Sequence, residues 1–139
     1  MRDYSLFGDE HVRRYEETGG KVGHDWNDAP VLILHTKGRK SGVTRKNPLI
    51  YGRDGDDYLI VASKGGAPDH PAWYLNLLAD PNATIQVWGD VIPVTARTAT
   101  SDEKARLWPT MTAHWPDYDE YQEKTSREIP LVVLSPRKS

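Results

Sequence analysis

The chain contains six short segments with the composition of β-strands, and they follow one another at short spacing. Most are rich in aliphatic and β-branched residues and are bounded by glycine, proline, asparagine or aspartate; they cover residues 31–36, 44–53, 58–63, 83–88, 91–98 and 128–134. Two connections, Asp54-Gly55 and Gly89-Asp90, offer residues that accept a positive φ, as two-residue hairpin turns require. The pattern therefore predicts mainly antiparallel β-structure.

One of these segments alternates in polarity. In residues 83–88, apolar side chains occupy every second position, Ala83, Ile85 and Val87, and the positions between them hold Thr84, Gln86 and Trp88. A period of two is typical of a strand with one face in the core and the other in water. We therefore expect a sheet with one dry face and one wet face.

Helix signals interrupt the strands briefly. Residues 9–18 can form a charged helix with Asp9 as its N-cap and Gly19 as a left-handed stop. Residues 71–79 can form a second helix, with a proline in its first turn.

A third helix begins with Thr100 and Glu103, which have the spacing of a capping box, and Pro109 is expected to disturb it. There is no internal repeat or linker, and 139 residues suffice for one ordinary core. We therefore expect a single domain over residues 1–139, with an N-terminal helix and loop in residues 1–30. The predicted architecture is a small antiparallel barrel decorated with short α-helices.

Charge and cysteine content exclude several function classes. Eighteen basic and 20 acidic residues leave a net charge of -2, so no overall positive field attracts nucleic acid. The absence of cysteine excludes disulfides and thiolate chemistry and fits a reducing cytoplasm. The N-terminal residues resemble no signal peptide, and the longest apolar runs are four residues. We expect a cytoplasmic protein, a monomer in preference to an oligomer, with only peripheral contact to a membrane left open.

A glycine-flanked basic segment is the densest candidate site. It runs through Gly38, Arg39, Lys40, Ser41 and Gly42, and Arg45, Asn47 and Pro48 follow closely. Backbone N–H groups in such a turn can approach an anion, and arginine and lysine add charges suited to phosphate or carboxylate. The alternative is a solvated hairpin with no ligand.

A second glycine-containing segment precedes the helix at residues 71–79. It consists of Ser63, Lys64, Gly65, Gly66 and Ala67, and Pro71, Trp73 and Tyr74 lie just beyond it. A hydroxyl, an ammonium group and the start of a helix together favour an anion. Alternatively, the glycines turn the chain and Trp73 packs in the core.

Three aromatic residues, Trp115, Tyr118 and Tyr121, are spaced three apart and would share one face of a helix. Such a stripe is more often core than active site, although phenols offer hydrogen bonds that a dry core does not need. Trp26 could cover a pocket from the preceding loop or serve as a packing anchor. No spacing of the five histidines indicates a metal site, and no serine-hydrolase motif is present.

In order along the chain, these motifs resemble the deazaflavin-dependent nitroreductase family, which includes F420-dependent quinone reductases. The resemblance covers residues 31–134 and rests on Thr36-x-Gly38-Arg39-Lys40-Ser41-Gly42, Arg45-x-Asn47-Pro48-Leu49, Ala62-Ser63-Lys64-Gly65-Gly66-Ala67, Pro71-Ala72-Trp73-Tyr74-x-Asn76-Leu77 and Ile129-Pro130. It implies a split β-barrel related to the pyridoxamine-oxidase-like, FMN-binding barrels. It also implies the coenzyme F420, with no metal, and transfer of a hydride to a small acceptor such as a quinone.

The resemblance further implies roles for single residues. The basic segment around Arg39, Lys40, Ser41 and Arg45 would hold the phosphate and oligoglutamate tail of F420, and residues 63–67 with Pro71 and Trp73 would hold its ring and linker. Trp115, Tyr118 and Tyr121 would face the acceptor, and Ser63, Tyr118, Tyr121 or water would supply the proton. Trp115 stands where nitroimidazole-reducing members carry tyrosine, so nitroaromatic reduction is less expected than quinone reduction.

Three alternatives remain at the level of sequence. The same barrel could use FMN, it could bind F420 without catalysis, or it could be a protein-interaction barrel without a small ligand.

Overall fold

The computed structural model describes residues 3–137 and contains four α-helices and eight strands within that range. The helices are α1 (Gly8–Thr18), α2 (Ala72–Ala79), α3 (Ser101–His114) and α4 (Asp117–Lys124), and Lys64–Gly66 forms a 3₁₀ turn. The strands are β1 (Asp25–Trp26), β2 (Ala29–Lys37), β3 (Thr44–Ile50), β4 (Gly52–Asp54), β5 (Asp57–Val61), β6 (Asn82–Val87), β7 (Asp90–Thr98) and β8 (Leu131–Pro136). Residues 1, 2, 138 and 139, which the single-domain expectation also included, lie outside the described part.

All of the strand pairs are antiparallel. The sheet order is β1-β2-β6-β7-β8-β5-β4, and β3 pairs with the other edge of β2. The sheet curls into a half-barrel, and the prediction of mainly antiparallel β-structure with short helices is confirmed. Because β3 pairs only with β2 within the described residues, one of its edges stays open towards the site described below.

Both hairpin turns lie one residue away from the predicted positions. Asp54 pairs with Asp57, which makes Gly55-Asp56 the first turn, and Val87 pairs with Asp90, which makes Trp88-Gly89 the second. Trp88 adopts a φ of 56°, an unfavourable value for a bulky residue.

The predicted strand over residues 44–53 is interrupted at Tyr51. Its backbone N–H still donates to the carbonyl of Pro30 in β2 at 3.1 Å, and the regular pairing of β3 with β2 ends there. The next residue, Gly52, lies so close to α3 that an added Cβ would be 2.7 Å from Met111 Sδ. The break therefore lets the chain pass beneath a packed helix, a tertiary effect that the strand pattern does not contain.

The prediction of one wet sheet face is wrong on β6. Gln86, on the expected wet side, is buried, because α1 packs across this part of the sheet. Tyr15 of α1 is 0% exposed, and its hydroxyl accepts a hydrogen bond from Trp88 N at 2.9 Å. The helix thus covers a face that the sequence pattern assigns to solvent.

Local helix signals were largely correct. Gly19 ends α1 in the left-handed conformation, and Thr100 and Glu103 form the capping box of α3. Asp9 is not the N-cap, since Phe7 holds that position, and Pro109 lies within α3 without ending it. None of the helices in the described part of the chain combines the length and apolarity that crossing a bilayer requires.

Candidate functional site

A cavity of about 1340 Å³ lies along β3. Its walls come from α1, the β2–β3 turn, β3 itself, the segment after β5, the start of α2, α4, and Trp115 between α3 and α4. Small-molecule sites in proteins usually enclose roughly 300–1,000 Å³, so this cavity has room for a long ligand.

The basic turn, defined as residues 38–45, forms one end of the cavity. Gly38 N donates to the Val43 carbonyl at 2.9 Å, and Gly42 N donates to the Gly38 carbonyl at 2.8 Å. Gly42 has a φ of 72°, a conformation that favours glycine. An added Cβ at Gly38 would lie 2.8 Å from Ser41 Oγ, so both glycines are required by the tight turn.

Asn76 of α2 ties Arg39 to the body of the protein. Its Oδ1 accepts from Arg39 N at 3.2 Å and from Arg39 Nη1 at 3.0 Å. Its Nδ2 donates to Thr36 Oγ1 at 3.1 Å, and both Asn76 and Thr36 are buried. The side chain of Arg39 is therefore held at the cavity before any ligand arrives.

Two further cations at this end have no carboxylate partner in the structure. Within residues 3–137, neither Lys40 nor Arg45 forms an ion pair, whereas the neighbouring Lys46 is paired with Glu16 at 2.7 Å. Both line the cavity and are exposed. This end can therefore accept negative charge from a ligand without first breaking a salt bridge.

β3 connects the basic turn to the opposite end of the cavity. It runs from Thr44 to Ile50, and Asn47, Pro48 and Leu49 line the cavity between them. At about 3.3 Å per residue, the strand spans roughly 20 Å. Ile50 packs against the buried cluster that contains Trp115 and Tyr118, so the cationic and aromatic ends are about one strand length apart.

The glycine loop, defined as residues 63–67, forms the side of the cavity. Lys64, Gly65 and Gly66 all have a positive φ, at 47°, 62° and 83°. Ser63 is only 8% exposed, yet it lines the cavity together with Lys64 and Gly65. The change from a right-handed Ser63 to a left-handed Lys64 is the kind of backbone that can present N–H groups to an anion.

The aromatic cluster, defined as Trp26, Trp115, Tyr118 and Tyr121, forms the far end. Trp26 stacks on Trp115 with ring centroids 5.4 Å apart, and Trp115 Nε1 donates to the Tyr121 hydroxyl at 3.3 Å. Tyr118 meets Tyr121 edge-on at 6.1 Å. All four line the cavity. Trp115 is the C-cap of α3, whereas the two tyrosines belong to α4, so the three predicted residues do not share one helix face.

Burial changes the acidity of Tyr118. Its side chain is 5% exposed, and burial, with a smaller contribution from the nearby Tyr121, raises the pKa of its phenol. The phenol is therefore neutral over the whole physiological pH range, and its hydroxyl is available as a hydrogen-bond donor in the cavity wall.

Most of the predicted site residues meet in this single cavity, including Pro71 and Trp73 at the start of α2. Three do not line it. Gly66 packs on the backbone of Tyr121, the Ala67 carbonyl accepts a hydrogen bond from Arg127, and Tyr74 faces the other way to bond Thr98 Oγ1 at 2.7 Å.

The sequence analysis did not assign α1 to the site. His11, Val12, Arg13 and Glu16 line the cavity, and Tyr15 packs with Val12 beneath it. The sequence does contain part of the information, because the spacing of four residues between His11 and Tyr15 places both on one face of a helix. The surface they cover, however, can be identified only from the fold.

A family model described as F420H(2)-dependent quinone reductase matches residues 8–136. An F420H(2)-dependent quinone reductase of Mycobacterium tuberculosis is 45% identical in an alignment 131 residues long, which covers 91% of this chain and 88% of that protein. A solved F420-H2 dependent reductase is 39% identical and superposes with a TM-score of 0.71, covering 76% of this chain and 94% of that one.

Two further solved structures bear on fold and assembly. A Listeria innocua protein described as a pyridoxamine 5′-phosphate oxidase has a TM-score of 0.57 at 13% identity and covers 78% of this chain, a likeness of fold alone. Together with the curled sheet, it confirms the predicted split β-barrel. A structure described as a domain-swapped dimer is 36% identical, with a TM-score of 0.74 over 91% of this chain and 95% of that one. The expectation of a monomer is therefore not supported.

Proposed function

Because the chain belongs to the F420H(2)-dependent quinone reductase family, we propose that its cavity holds the coenzyme F420 lengthwise along β3. In this arrangement the anionic tail lies at the basic turn and the deazaflavin ring lies near the aromatic cluster. The chain is an oxidoreductase that depends on F420, as the family resemblance of its sequence motifs had implied.

The observation that carries the orientation is the separation of charge and aromaticity along the cavity. Cations without carboxylate partners lie at one end of β3, aromatic rings lie at the other, and roughly 20 Å of strand separates them. F420 has the same polarity, with a flat ring at one end and a phosphate and an oligoglutamate chain at the other. A compact ligand without charge would use only part of this cavity.

At the basic turn, three cations would bind the tail. Arg39 is already oriented by Asn76, whereas Lys40 and Arg45 are exposed and free of ion pairs among residues 3–137. A guanidinium group can bind a phosphate or carboxylate through two N–H groups, and lysine supplies a point charge. Because these charges are exposed to solvent, added salt should weaken the binding.

The glycine loop and β3 would hold the ring and its linker. Ser63, Lys64 and Gly65 line the same cavity as Asn47 and Pro48 of β3. Gly65, with its positive φ, leaves room for a flat group to approach the backbone. Gly66 and Ala67 then act as the outer support of the loop and not as contacts.

When bound, the reduced coenzyme supplies a hydride, which with one proton converts a quinone into a hydroquinone. The chain's own part is to orient the two reactants, to exclude water and to hold the proton. Tyr118 suits the last task because its phenol, which carries its proton at physiological pH, lies in the wall of the cavity. Ser63, Tyr121 and water remain the other candidate donors.

The acceptor is proposed to be a flat quinone bound against the aromatic cluster. The Trp26–Trp115 stack offers a broad aromatic surface, and Tyr121 is held by Trp115 through a hydrogen bond. The larger indole at position 115 narrows the space in which nitroimidazole-reducing relatives carry a tyrosine. We therefore expect quinones to be better acceptors than nitroimidazoles.

Titration of the apo protein with F420 and, separately, with FMN tests the coenzyme assignment. Quenching of tryptophan fluorescence should report tight, salt-sensitive binding of F420 and much weaker binding of FMN, which has no oligoglutamate tail. Reduction of menadione by reduced F420 then separates an enzyme from a passive binder. Equal affinity for the two coenzymes at moderate salt would overturn the proposal, and so would binding of F420 without menadione reduction.

A further inference from the structure

Arg127 lies behind the glycine loop and makes four hydrogen bonds, two to the loop itself and one to each of the segments that flank it. Nε donates to the Ala67 carbonyl at 2.9 Å, Nη2 to the Ser63 carbonyl at 2.8 Å, and Nη1 to the Ala62 carbonyl at 3.2 Å. Nη1 also lies 3.2 Å from His70 Nδ1. One planar side chain therefore connects both ends of the loop.

The guanidinium group forms no ion pair with a carboxylate among residues 3–137. It is half-buried, and burial lowers its pKa, against a smaller opposing effect of Asp69. His70 must be the acceptor in their contact, because arginine can only donate, and burial followed by the charge of Arg127 lowers the pKa of His70. The positive charge of Arg127 is thus stabilised by backbone carbonyl groups, and the same hydrogen bonds fix the positions of those carbonyl groups.

The opposite side of the loop rests on α4. An added Cβ at Gly66 would lie 2.8 Å from the Tyr121 carbonyl oxygen and 3.1 Å from Tyr121 Cα. The backbone of Arg127 is tied to the same helix, since Gln122 Nε2 donates to the Arg127 carbonyl at 2.8 Å. The loop is therefore held between α4 on one side and Arg127, itself anchored to α4, on the other.

This arrangement joins the two halves of the cavity. Ser63, Lys64 and Gly65 line the part assigned to the coenzyme, and Tyr118 and Tyr121 of α4 line the part assigned to the acceptor. A shift of the loop relative to α4 would change the distance between coenzyme and acceptor without removing any group that touches either one.

We propose that Arg127 is a positioning residue that fixes the glycine loop against α4 and so sets the distance between coenzyme and acceptor. The inference has two parts. That Arg127 holds the loop rests on the four hydrogen bonds, and that this hold affects the reaction rate rests on the proposed function. Lysine cannot replace the guanidinium group of Arg127. A single ammonium group cannot reach the carbonyls at both ends of the loop, as the planar, rigid guanidinium group does.

The test compares Arg127→Lys with Arg137→Lys. Arg137 is a matched control, because it also donates to backbone carbonyls, but those of Val94 in β7 and Ala83 in β6 and not those of the glycine loop. For each protein we would measure the melting temperature, the amide hydrogen exchange of residues 62–67, the affinity for F420, and the single-turnover rate of menadione reduction at saturating coenzyme.

For Arg127→Lys we expect faster exchange at Gly66 and Ala67, whose N–H groups bond the Ser63 and Lys64 carbonyls. We expect a rate lower by about 10- to 100-fold, the range that misplacement by an ångström can cause, with F420 affinity changed by less than about threefold. The control should match the wild type in exchange and in rate.

Three results would overturn the inference. Unchanged amide hydrogen exchange in Arg127→Lys would show that the arginine does not hold the loop. An unchanged rate of menadione reduction at saturating F420 would show that holding the loop does not affect the reaction. Failure of this conservative variant to fold would make Arg127 a residue of the fold as a whole. A wild-type protein that binds no F420 would instead overturn the proposed function, and the exchange comparison would still decide the structural part.

Discussion

Replacing Asn76 by alanine should loosen the basic turn from the rest of the protein. The amide makes three hydrogen bonds, two through Oδ1 to Arg39 and one through Nδ2 to the buried hydroxyl of Thr36. The bonds to Arg39 N and to Thr36 are each worth about 1 kcal/mol. The bond to the guanidinium counts for less than about 1 kcal/mol, because Arg39 is exposed and solvent screens it. The free energy of unfolding should therefore fall by about 2–3 kcal/mol.

The same change should weaken coenzyme binding by a separate route. Without Asn76, the side chain of Arg39 is no longer held at the cavity and must be ordered when the ligand binds. Ordering one long side chain costs about 0.5–1.5 kcal/mol, which corresponds to a loss of affinity of about 2- to 10-fold.

Urea unfolding and F420 titration of Asn76→Ala measure these two effects, and Asn82→Ala is the control. Asn82 begins β6, is exposed, and its side chain makes no hydrogen bond to another residue among residues 3–137. If both variants unfold at the same urea concentration, the three hydrogen bonds do not hold the turn. If Asn76→Ala is destabilised but binds F420 as the wild type does, Asn76 does not orient Arg39 for the coenzyme.

Three further outcomes can be measured on single variants. Lys40→Ala and Arg45→Ala should each weaken F420 by about 1–3 kcal/mol at low salt and by less at high salt, as titrations at two salt concentrations would show. Tyr118→Phe should lower the rate of menadione reduction while melting temperature and F420 affinity stay near the wild-type values; unchanged rates with lost stability would return Tyr118 to a purely structural role. Burial raises the pKa of Tyr15 from 10.0 to about 12, so its contribution to stability is complete below pH 10 and is lost as the pH rises from 10 to 12. Urea unfolding at pH 9 and 11 should show a loss in the wild type that exceeds the loss in Tyr15→Phe by about 1 kcal/mol, since pH 11 lies halfway through this range.

The features that the sequence predicted correctly depend on neighbours along the chain. A tight turn needs glycines at fixed offsets, so Gly38 and Gly42 delimit the basic turn in the sequence as they do in the structure. A capping box needs two residues three apart, so Thr100 and Glu103 locate the start of α3. The physical cause of each feature lies within about five residues, and the sequence pattern contains it.

The features that the sequence analysis missed depend on residues far apart. Arg127 bonds carbonyls 60 to 65 positions away, and the hydroxyl of Tyr15 bonds the backbone 73 positions away. The spacing within α1 indicates which of its sides is apolar, but not that this side covers Gln86. Such contacts follow from the order of strands in the sheet, which local propensity does not determine.

Tyr118 shows that a residue can pack in the core and also line the candidate site, so the two interpretations of the aromatic stripe do not exclude each other. The side chain is 5% exposed and packs with Leu107, Met111 and Ile129, as a core residue does. It also lines the cavity, and the burial that stabilises the packing is the cause of its raised phenol pKa. A tyrosine carries its proton at physiological pH whether it is buried or exposed, so burial determines the packing and the dryness of this wall and not the supply of the proton. A core position and the proposed role in the site are therefore compatible at Tyr118, and Tyr118→Phe, which removes only the hydroxyl, separates that proposed role from the packing.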